Sequence, residues 1–267
     1  MKYIIDNDLH IHSQISSCSR DPEQTPEAML AYAIKNGFTT ICIADHYWDE
    51  RIPGASNWYS KQNTEHVLAS LPLPQADGVR FLFGCETEWN RFNTIGISRE
   101  MMEKMDFIVL PLTHFHMKGF TLFEEQLATP ETRAKAWCDR MDVFLSQDLP
   151  FHKIGLAHLT CGLIWKDDRE NYLATLNAIP QSELERIFTR AAAAGVGIEL
   201  NADDMNYPDE DADTVLRMYR IAKEKGCKFY LGSDAHHPKN LQAARARFQA
   251  AIDALDLTED DKFKPFG

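Results

Sequence analysis

Asp8-Leu9-His10-Ile11-His12 closes a short apolar run near the start of the sequence. Successive side chains of a β-strand point to opposite faces. A strand over this run therefore places the imidazoles of His10 and His12 on one face, where both can reach the same ion. A single His-x-His motif carries little weight by itself. Its meaning depends on how the other apolar runs of the chain end.

Six more short apolar runs follow, and each also ends in a histidine or an acidic residue. The predicted strands span residues 3–10, 40–45, 81–86, 107–113, 154–158, 196–201 and 228–234. The residues at or next to their ends are His10, Asp45, Glu86, His114, His158, Glu199 and Asp234. Helical stretches fill the gaps, and this alternation is typical of a parallel sheet. Since a barrel of alternating strands and helices commonly fills about 250 residues, we expect a single α/β domain over residues 1–267.

Helix boundaries and long loops are also marked in the sequence. Thr25-Pro26-Glu27 offers an N-cap followed by a proline at the first helical position, and Gly37 ends that helix. Thr129-Pro130-Glu131 repeats the same signal. Long connections follow three of the strands and predict large loops at the face where barrels carry their binding sites. These connections are residues 47–60, 114–129 and 161–182.

The polar strand ends are expected to meet, because the carboxyl ends of parallel strands lie at one face of a barrel. Each residue alone also fits a structural role, such as a histidine bonded to the backbone or a carboxylate that caps a helix. Burying so many ionisable groups side by side is costly unless they are paired, and bound metal ions remove that cost. The seven strand ends together therefore predict a metal centre with more than one ion.

Composition and charge restrict the class of partner. The chain has 40 acidic and 28 basic residues, a formal net charge of −12, which disfavours binding to nucleic acid and to anionic lipids. No stretch approaches the roughly 20 apolar residues of a membrane span, and the first residues do not fit a signal peptide, so we expect a cytoplasmic protein.

Of the six cysteines, Cys42 and Cys85 fall on strands, and only Cys18 lies in a segment where chemistry is expected.

The ordered set of motifs resembles the PHP (polymerase and histidinol phosphatase) family. The matching motifs are His10-x-His12, Asp45-His46, Gly84-x-Glu86, His114, His158 and Asp234-x-His236, and they cover essentially the whole chain. The resemblance implies a distorted TIM-like (β/α)7 barrel that binds two or three divalent ions of zinc, manganese or iron. Stand-alone members of that family include histidinol phosphatases and other phosphoesterases.

The resemblance also implies which residues hold each ion. The first ion would be held by His10, His12, Glu86 and Asp234. The second would be held by Glu86, His114 and His158, with Glu86 bridging the two ions, and the third by His46, His236 and a residue of the loop after His12. His116 competes with His114 for the second ion, and His114 is preferred because it directly follows the strand. Glu199 and Asn201 are expected to support the ligands or to face the substrate.

The chain departs from the family pattern in the loop after His12. Histidinol phosphatases place a third histidine there, whereas this loop reads Ser13-Gln14-Ile15-Ser16-Ser17-Cys18-Ser19-Arg20-Asp21. Cys18 stands at the matching spacing, and Asp21 is the near alternative. A cysteine thiolate and an aspartate carboxylate can both bind zinc, so either residue can complete the third site.

Together with the resemblance, these residues predict hydrolysis of a small phosphomonoester. Two neighbouring ions lower the pKa of a shared water toward about 7, and the resulting hydroxide attacks the phosphoryl group in line. The expected catalytic residues are His46 or His236, which donate the leaving-group proton when they bind no metal, and Asp45, which orients them. Candidate phosphate contacts are the loop cations Arg20, Arg51 and Lys118. The loop aromatics Trp48, Trp58, Tyr59 and Trp165 are expected to wall the substrate.

Three other functions fit parts of the pattern. An amidohydrolase-type enzyme that cuts C–N or C–O bonds also opens with His-x-His on a barrel strand, but it expects a different ligand order and eight strands. A non-catalytic domain would use the ions for stability or partner binding, and the full ligand set argues against it. Nuclease action fits the metal chemistry but not the acidic surface.

Overall fold

Parallel β-strands form the centre of the structure, a computed structural model that describes residues 1–19 and 21–265. Arg20, one of the expected phosphate contacts, lies outside the described residues. The strands are β1 (Asn7–Ile11), β2 (Thr40–Ile43), β3 (His46–Tyr47), β4 (Arg80–Thr87), β5 (Phe107–Pro111), β6 (Ile154–Ala157), β7 (Gly197–Asn201) and β8 (Lys228–Gly232).

Helices surround the strands on the outside. They are α1 (Pro26–Asn36), α2 (Thr64–Leu68), α3 (Arg99–Lys104), α4 (Pro130–Phe144), α5 (Arg169–Ala178), α6 (Gln181–Ala194), α7 (Ala212–Glu224) and α8 (Pro238–Ala254). Thr25 and Thr129 cap α1 and α4 as predicted, and Gly37 ends α1 with φ of 72°. Within the described residues, no helix has both the length and the hydropathy that crossing a membrane requires.

The sheet curls into a nearly closed barrel. Its strand order is β1-β2-β4-β5-β6-β7-β8, and the two-residue β3 pairs with the end of β4. A parallel bridge between Ile11 and Ala235 joins the two outer strands, where the His12 amide donates to the Ala235 carbonyl at 3.1 Å and the Asp234 amide donates to the His10 carbonyl at 2.8 Å. The first and last strands thus bring His12 and Asp234 side by side.

The barrel interior is filled by side chains from alternate strand positions. Leu9, Leu82, Val109 and Tyr230 belong to this inner cluster, and Phe263 from the C-terminal segment packs against the same group. A larger apolar cluster lies between the sheet and the helices. Because the interior below is packed with apolar residues, the polar groups at the carboxyl ends of the strands are confined to one face.

The predicted α/β barrel is confirmed, and its differences from prediction are local. The first strand begins at Asn7 instead of residue 3, because residues near the N-terminus pair with the C-terminal segment: Lys2 bridges Thr258, and the Tyr3 amide donates to the Leu257 carbonyl at 3.2 Å. The short strand β3 was not predicted. The connection predicted over residues 161–182 contains helix α5, which Asp168 caps through a hydrogen bond from the Asn171 amide.

Candidate metal centre

The predicted ligands gather at the carboxyl face of the barrel. His10 lies in β1 and His12 just after it, while Glu86 lies near the end of β4. His158 directly follows β6, and Asp234 follows β8 by two residues. Both of these last residues have a positive φ, 57° for His158 and 52° for Asp234, which non-glycine residues seldom adopt.

The first predicted ligand set has the dimensions of a metal site. The Nε2 atoms of His10 and His12 lie 3.1 Å apart, and Asp234 Oδ1 lies 3.6 Å and 3.1 Å from them. Glu86 Oε2 lies 3.6 Å and 3.4 Å from the same two nitrogens. A tetrahedral zinc ion with ligands at about 2.0–2.1 Å separates its ligand atoms by about 3.3 Å. His10, His12 and Asp234 therefore form a group of potential ligands for one ion, and Glu86 lies beside its two histidines.

Glu86 stands in the middle of the centre, buried among five imidazoles. Its Oε2 atom faces three of them, at 3.0 Å from His46 Nδ1, 3.4 Å from His12 Nε2 and 3.6 Å from His10 Nε2. Its Oε1 atom faces the other two, at 3.7 Å from His158 Nε2 and 3.9 Å from His114 Nε2. Oε1 has no hydrogen-bond partner in the described chain. The two oxygens thus point to two different groups of donors.

The geometry around His114 favours it over His116 as a ligand. Glu88 Oε2 lies 3.0 Å from His114 Nδ1, which fixes the hydrogen on that nitrogen and leaves Nε2 free to face Glu86. Arg140 holds Glu88 in turn, with Nη2 3.2 Å from Glu88 Oε1. The His116 side chain lines the cavity and is exposed, whereas His114 is buried.

The third ligand set includes the departure from the family pattern. Cys18, His12, His46 and His236 offer ligand atoms that all lie within 4.8 Å of one another. The Cys18 sulfur lies 2.9 Å from His236 Nε2. Asp21, the alternative to Cys18, instead binds His237 at 2.9 Å between Oδ2 and Nδ1. The geometry favours Cys18 as the loop residue closest to this set.

The charges of the centre shift the pKa of several groups. Burial alone would lower the pKa of His10, but Glu199, Asp234 and Glu86 raise it to about 10. Burial also lowers the pKa of His46, but the nearby Glu86 and Cys18 outweigh that effect and raise the pKa to about 9. Without metal, the acidic groups thus retain protons on the imidazoles. Bound metal would replace those protons, so we expect binding to release them.

The pKa of the Cys18 thiol is shifted in the opposite direction. Partial desolvation would raise its pKa, but the adjacent rings of His46 and His12 and a hydrogen bond with His236 lower it to about 4. A thiol with such a pKa is a thiolate at neutral pH, which is the form that binds metal and reacts with alkylating agents.

Glu199 contacts two of the predicted ligands, His10 and His158. Its Oε1 atom accepts a hydrogen bond from His10 Nδ1 at 2.7 Å. Its Oε2 atom accepts from the His158 amide at 3.2 Å and from Asn201 Nδ2 at 3.1 Å. A side chain at Gly232 would collide with the Glu199 carboxylate and with His10 Cβ. The glycine therefore leaves the space in which Glu199 reaches His10.

A cavity of about 480 Å³ opens above these residues. Its apolar and aromatic walls include Trp58, Tyr59, Met117 and Leu163, and its floor carries the predicted ligands Cys18, His46, Glu86, His114, His158, Asp234 and His236. His116, Cys161, Asp203 and Asp204 complete the lining. Among the described lining residues there is no lysine and no arginine. Trp58 and Tyr59 thus wall the cavity as predicted, whereas Trp48 and Trp165 are not among its lining residues.

Three predicted site residues lie away from the cavity. Asp45 is buried and its carboxylate binds Ser13, accepting from the amide at 2.7 Å and from Oγ at 2.6 Å, so it anchors the loop after β1. Arg51 binds Asp49 and Glu100, at 2.8 Å and 2.6 Å. Lys118 is exposed and is not a lining residue. The Asp45 carboxylate therefore binds the loop and does not orient a proton donor as predicted. Arg51 and Lys118 do not line the cavity in which we expected them to contact phosphate.

Two buried carboxylates of the centre were not anticipated from the sequence. Glu88 lies two residues after Glu86, and the period of two in a strand would have placed it on the same face. Asp204 lies in the loop after β7, with Oδ1 3.7 Å from His158 Nδ1, and no sequence pattern marked it. With Cys161 it forms a further group of potential ligands around His158.

Comparison with known proteins agrees with this architecture. The fold is similar to that of histidinol phosphate phosphatase from Lactococcus lactis subsp. lactis, crystallised with zinc, L-histidinol and phosphate, at 18% identity over 92% of this chain and 93% of that chain, with a TM-score of 0.57. It is also similar to a protein from Listeria monocytogenes assigned as a histidinol phosphatase, at 14% identity over 88% and 96% of the two chains, with a TM-score of 0.61. No curated protein matches the chain significantly. Residues 8–203 match the PHP domain, and the chain therefore belongs to the PHP domain family.

Proposed function

We propose that this protein is a metal-dependent phosphoesterase that hydrolyses a small phosphomonoester in the cavity above the metal centre. One observation carries the proposal. Glu86 directs Oε2 toward His10, His12 and His46 and leaves Oε1 unpaired toward His114 and His158, so that its carboxylate could be shared by two ions when they are bound. Most buried carboxylate oxygens have a hydrogen-bond partner, so the unpaired Oε1 supports a bound ion at this position.

The residues that would hold the ions fall into three sets. The first set is His10, His12, Glu86 and Asp234; the second is Glu86, His114 and His158; the third is His46, His236 and Cys18. When bound, neighbouring divalent ions lower the pKa of water and neutralise the charge of phosphoryl oxygens. Zinc fits the first set by its distances and the third by its thiolate.

The supporting residues determine how the ligands are presented. Glu199 and Glu88 hold the hydrogens of His10 and His114 on Nδ1, so that each Nε2 keeps its lone pair toward the centre. The Asp234 carbonyl accepts from His236 Nδ1 at 2.7 Å, which leaves His236 Nε2 facing Cys18. In a two-ion centre His236 is the better donor of the leaving-group proton, because its side chain is 27% exposed while that of His46 is 8% exposed.

The substrate class follows from the lining. A phosphate group needs positive charge, and among the described lining residues only histidines can carry it, so bound ions would supply most of it. The organic part of the ester meets the apolar wall formed by Trp58, Met117 and Leu163. The similar Lactococcus lactis protein holds zinc, L-histidinol and phosphate. We extend that reaction class to this chain because the same fold here brings the predicted ligands together at one face.

A substrate panel tests the proposal. The protein loaded with zinc or manganese is assayed on phosphomonoesters, a phosphodiester and an amide, with Glu86→Gln as the matched variant. We expect the monoesters to be hydrolysed fastest and the variant to lose most of this activity. Preferential hydrolysis of the amide would support the amidohydrolase alternative instead.

A further inference from the structure

Tyr59 is a buried tyrosine whose side chain lines the cavity. It opens the short 3-10 helix Tyr59–Lys61 in the connection between β3 and α2. Aromatic rings enclose it, with centroids of Trp58, Phe120 and Trp48 at 4.8 Å, 5.7 Å and 5.9 Å from its own. The ring is therefore held in place, and its hydroxyl has a fixed position at the edge of the metal centre.

The Tyr59 hydroxyl has an unusual partner. Its oxygen lies 3.4 Å from His46 Nδ1, and the part of the chain that the structure describes offers it no other hydrogen bond. The same Nδ1 lies 3.0 Å from Glu86 Oε2. An ionised carboxylate only accepts hydrogen bonds, so Nδ1 carries the hydrogen of that pair and cannot also accept one from the phenol.

Metal binding does not change this conclusion. If His46 bound an ion through Nδ1, the lone pair of that nitrogen would be occupied. If it bound through Nε2, Nδ1 would keep its hydrogen for Glu86. In both cases the O–H of Tyr59 lacks an acceptor in the described protein, and a buried donor without an acceptor is costly. Tyr59 is among the residues that line the cavity, so a bound ligand can supply the missing acceptor.

We propose that the Tyr59 hydroxyl donates a hydrogen bond to a phosphoryl oxygen of the substrate and is a further catalytic residue. The inference rests on the proposed phosphomonoesterase function. In the reaction, a water oxygen forms a new bond to phosphorus, and the ester oxygen leaves with its electron pair and takes up a proton. Tyr59 transfers no atom; its fixed donor stabilises the charge that develops on the phosphoryl oxygen.

The chain offers a matched control for this role. Tyr47 is also fully buried and lies close in sequence, but its hydroxyl bonds Thr64 Oγ1 at 3.0 Å and it does not line the cavity. Removing that hydroxyl disturbs a structural hydrogen bond only. A comparison of Tyr59→Phe with Tyr47→Phe therefore separates a contact with the substrate from a general effect of losing a buried phenol oxygen.

The experiment measures kcat, KM and metal content of the metal-loaded wild type and both variants, together with the affinity for inorganic phosphate by calorimetry. We expect Tyr59→Phe to lower kcat about 100-fold, as loss of one oxyanion donor does, and to weaken phosphate binding at least tenfold with metal content unchanged. Tyr47→Phe is expected to stay within twofold of the wild type in both measurements.

Two results would overturn the inference. One is a Tyr59→Phe variant whose kcat and phosphate affinity both stay within twofold of the wild type. The other is a variant that loses metal in proportion to activity, since Tyr59 would then act only by supporting His46. If the wild type hydrolyses no phosphomonoester, the proposed function fails, and the phosphate affinities alone decide the role of Tyr59. A wild type that neither hydrolyses a phosphomonoester nor binds phosphate would overturn both proposals.

Discussion

Replacing Glu199 with glutamine is expected to weaken metal binding without removing any ligand. The carboxylate accepts from His10 Nδ1 on one oxygen and from the His158 amide and Asn201 Nδ2 on the other. A glutamine has one oxygen and one NH2 group, so either orientation of the amide turns a donor toward another donor. Depending on that orientation, the NH2 group faces either His10 Nδ1 or the His158 amide. One residue of the first or second ligand set then loses its support.

The size of the effect follows from the loss of that support. Removal of a partner that orients a metal-binding histidine costs about 10- to 100-fold in metal affinity, which corresponds to about 1.4–2.7 kcal/mol. Competition for zinc against a fluorescent chelator measures the affinity, with the exposed Glu125→Gln as control. A folded Glu199→Gln protein that binds zinc within twofold of the wild type would refute the reasoning.

Three further predictions address individual residues. His114→Ala should lose one equivalent of metal by elemental analysis while His116→Ala keeps all of it, and the reverse result would show that the choice between them is wrong. Bound metal should protect Cys18 from iodoacetamide, and Cys18→Ser should lower occupancy of the third site only; equal alkylation with and without metal would exclude the thiol as a ligand. Arg51 holds the pKa of Asp49 well below its usual value, so this pair stabilises the fold above about pH 4 and the stabilisation is lost as the pH falls. Arg51→Met should therefore melt at a lower temperature than the wild type at pH 7, by a margin that shrinks in acid, while KM stays within twofold; a large rise in KM would restore Arg51 as a substrate contact.

The gathering of the predicted ligands could be foreseen because the positions of strand ends can be read from the sequence. His10, Glu86, His158 and Asp234 lie at or just after the carboxyl ends of parallel strands, and those ends converge in any barrel. Helix caps such as Thr25 were equally clear, since a side-chain oxygen before a proline satisfies the free amides of the first turn. In each case the signal lies within a few residues of the feature that it predicts.

The supporting residues were harder to predict because their roles depend on distant partners. Asp45 adjoins the ligand His46 in sequence, yet its carboxylate binds Ser13, 32 residues earlier. Arg51 lies in a loop expected above the centre, but the buried Asp49 two residues before it binds the guanidinium. Asp204 faces His158 from another loop, and only the fold brings the two together.

Removal and return of metal tests the central claim most directly. The protein is stripped with a chelator, and hydrolysis of a phosphomonoester is measured together with bound zinc or manganese as metal is added back. We predict no activity in the stripped protein and a return of activity only after two equivalents per chain are bound, because Glu86 joins two ligand sets. Full activity in metal-free protein, or metal-loaded protein that binds the ions and hydrolyses no phosphomonoester, would contradict the account.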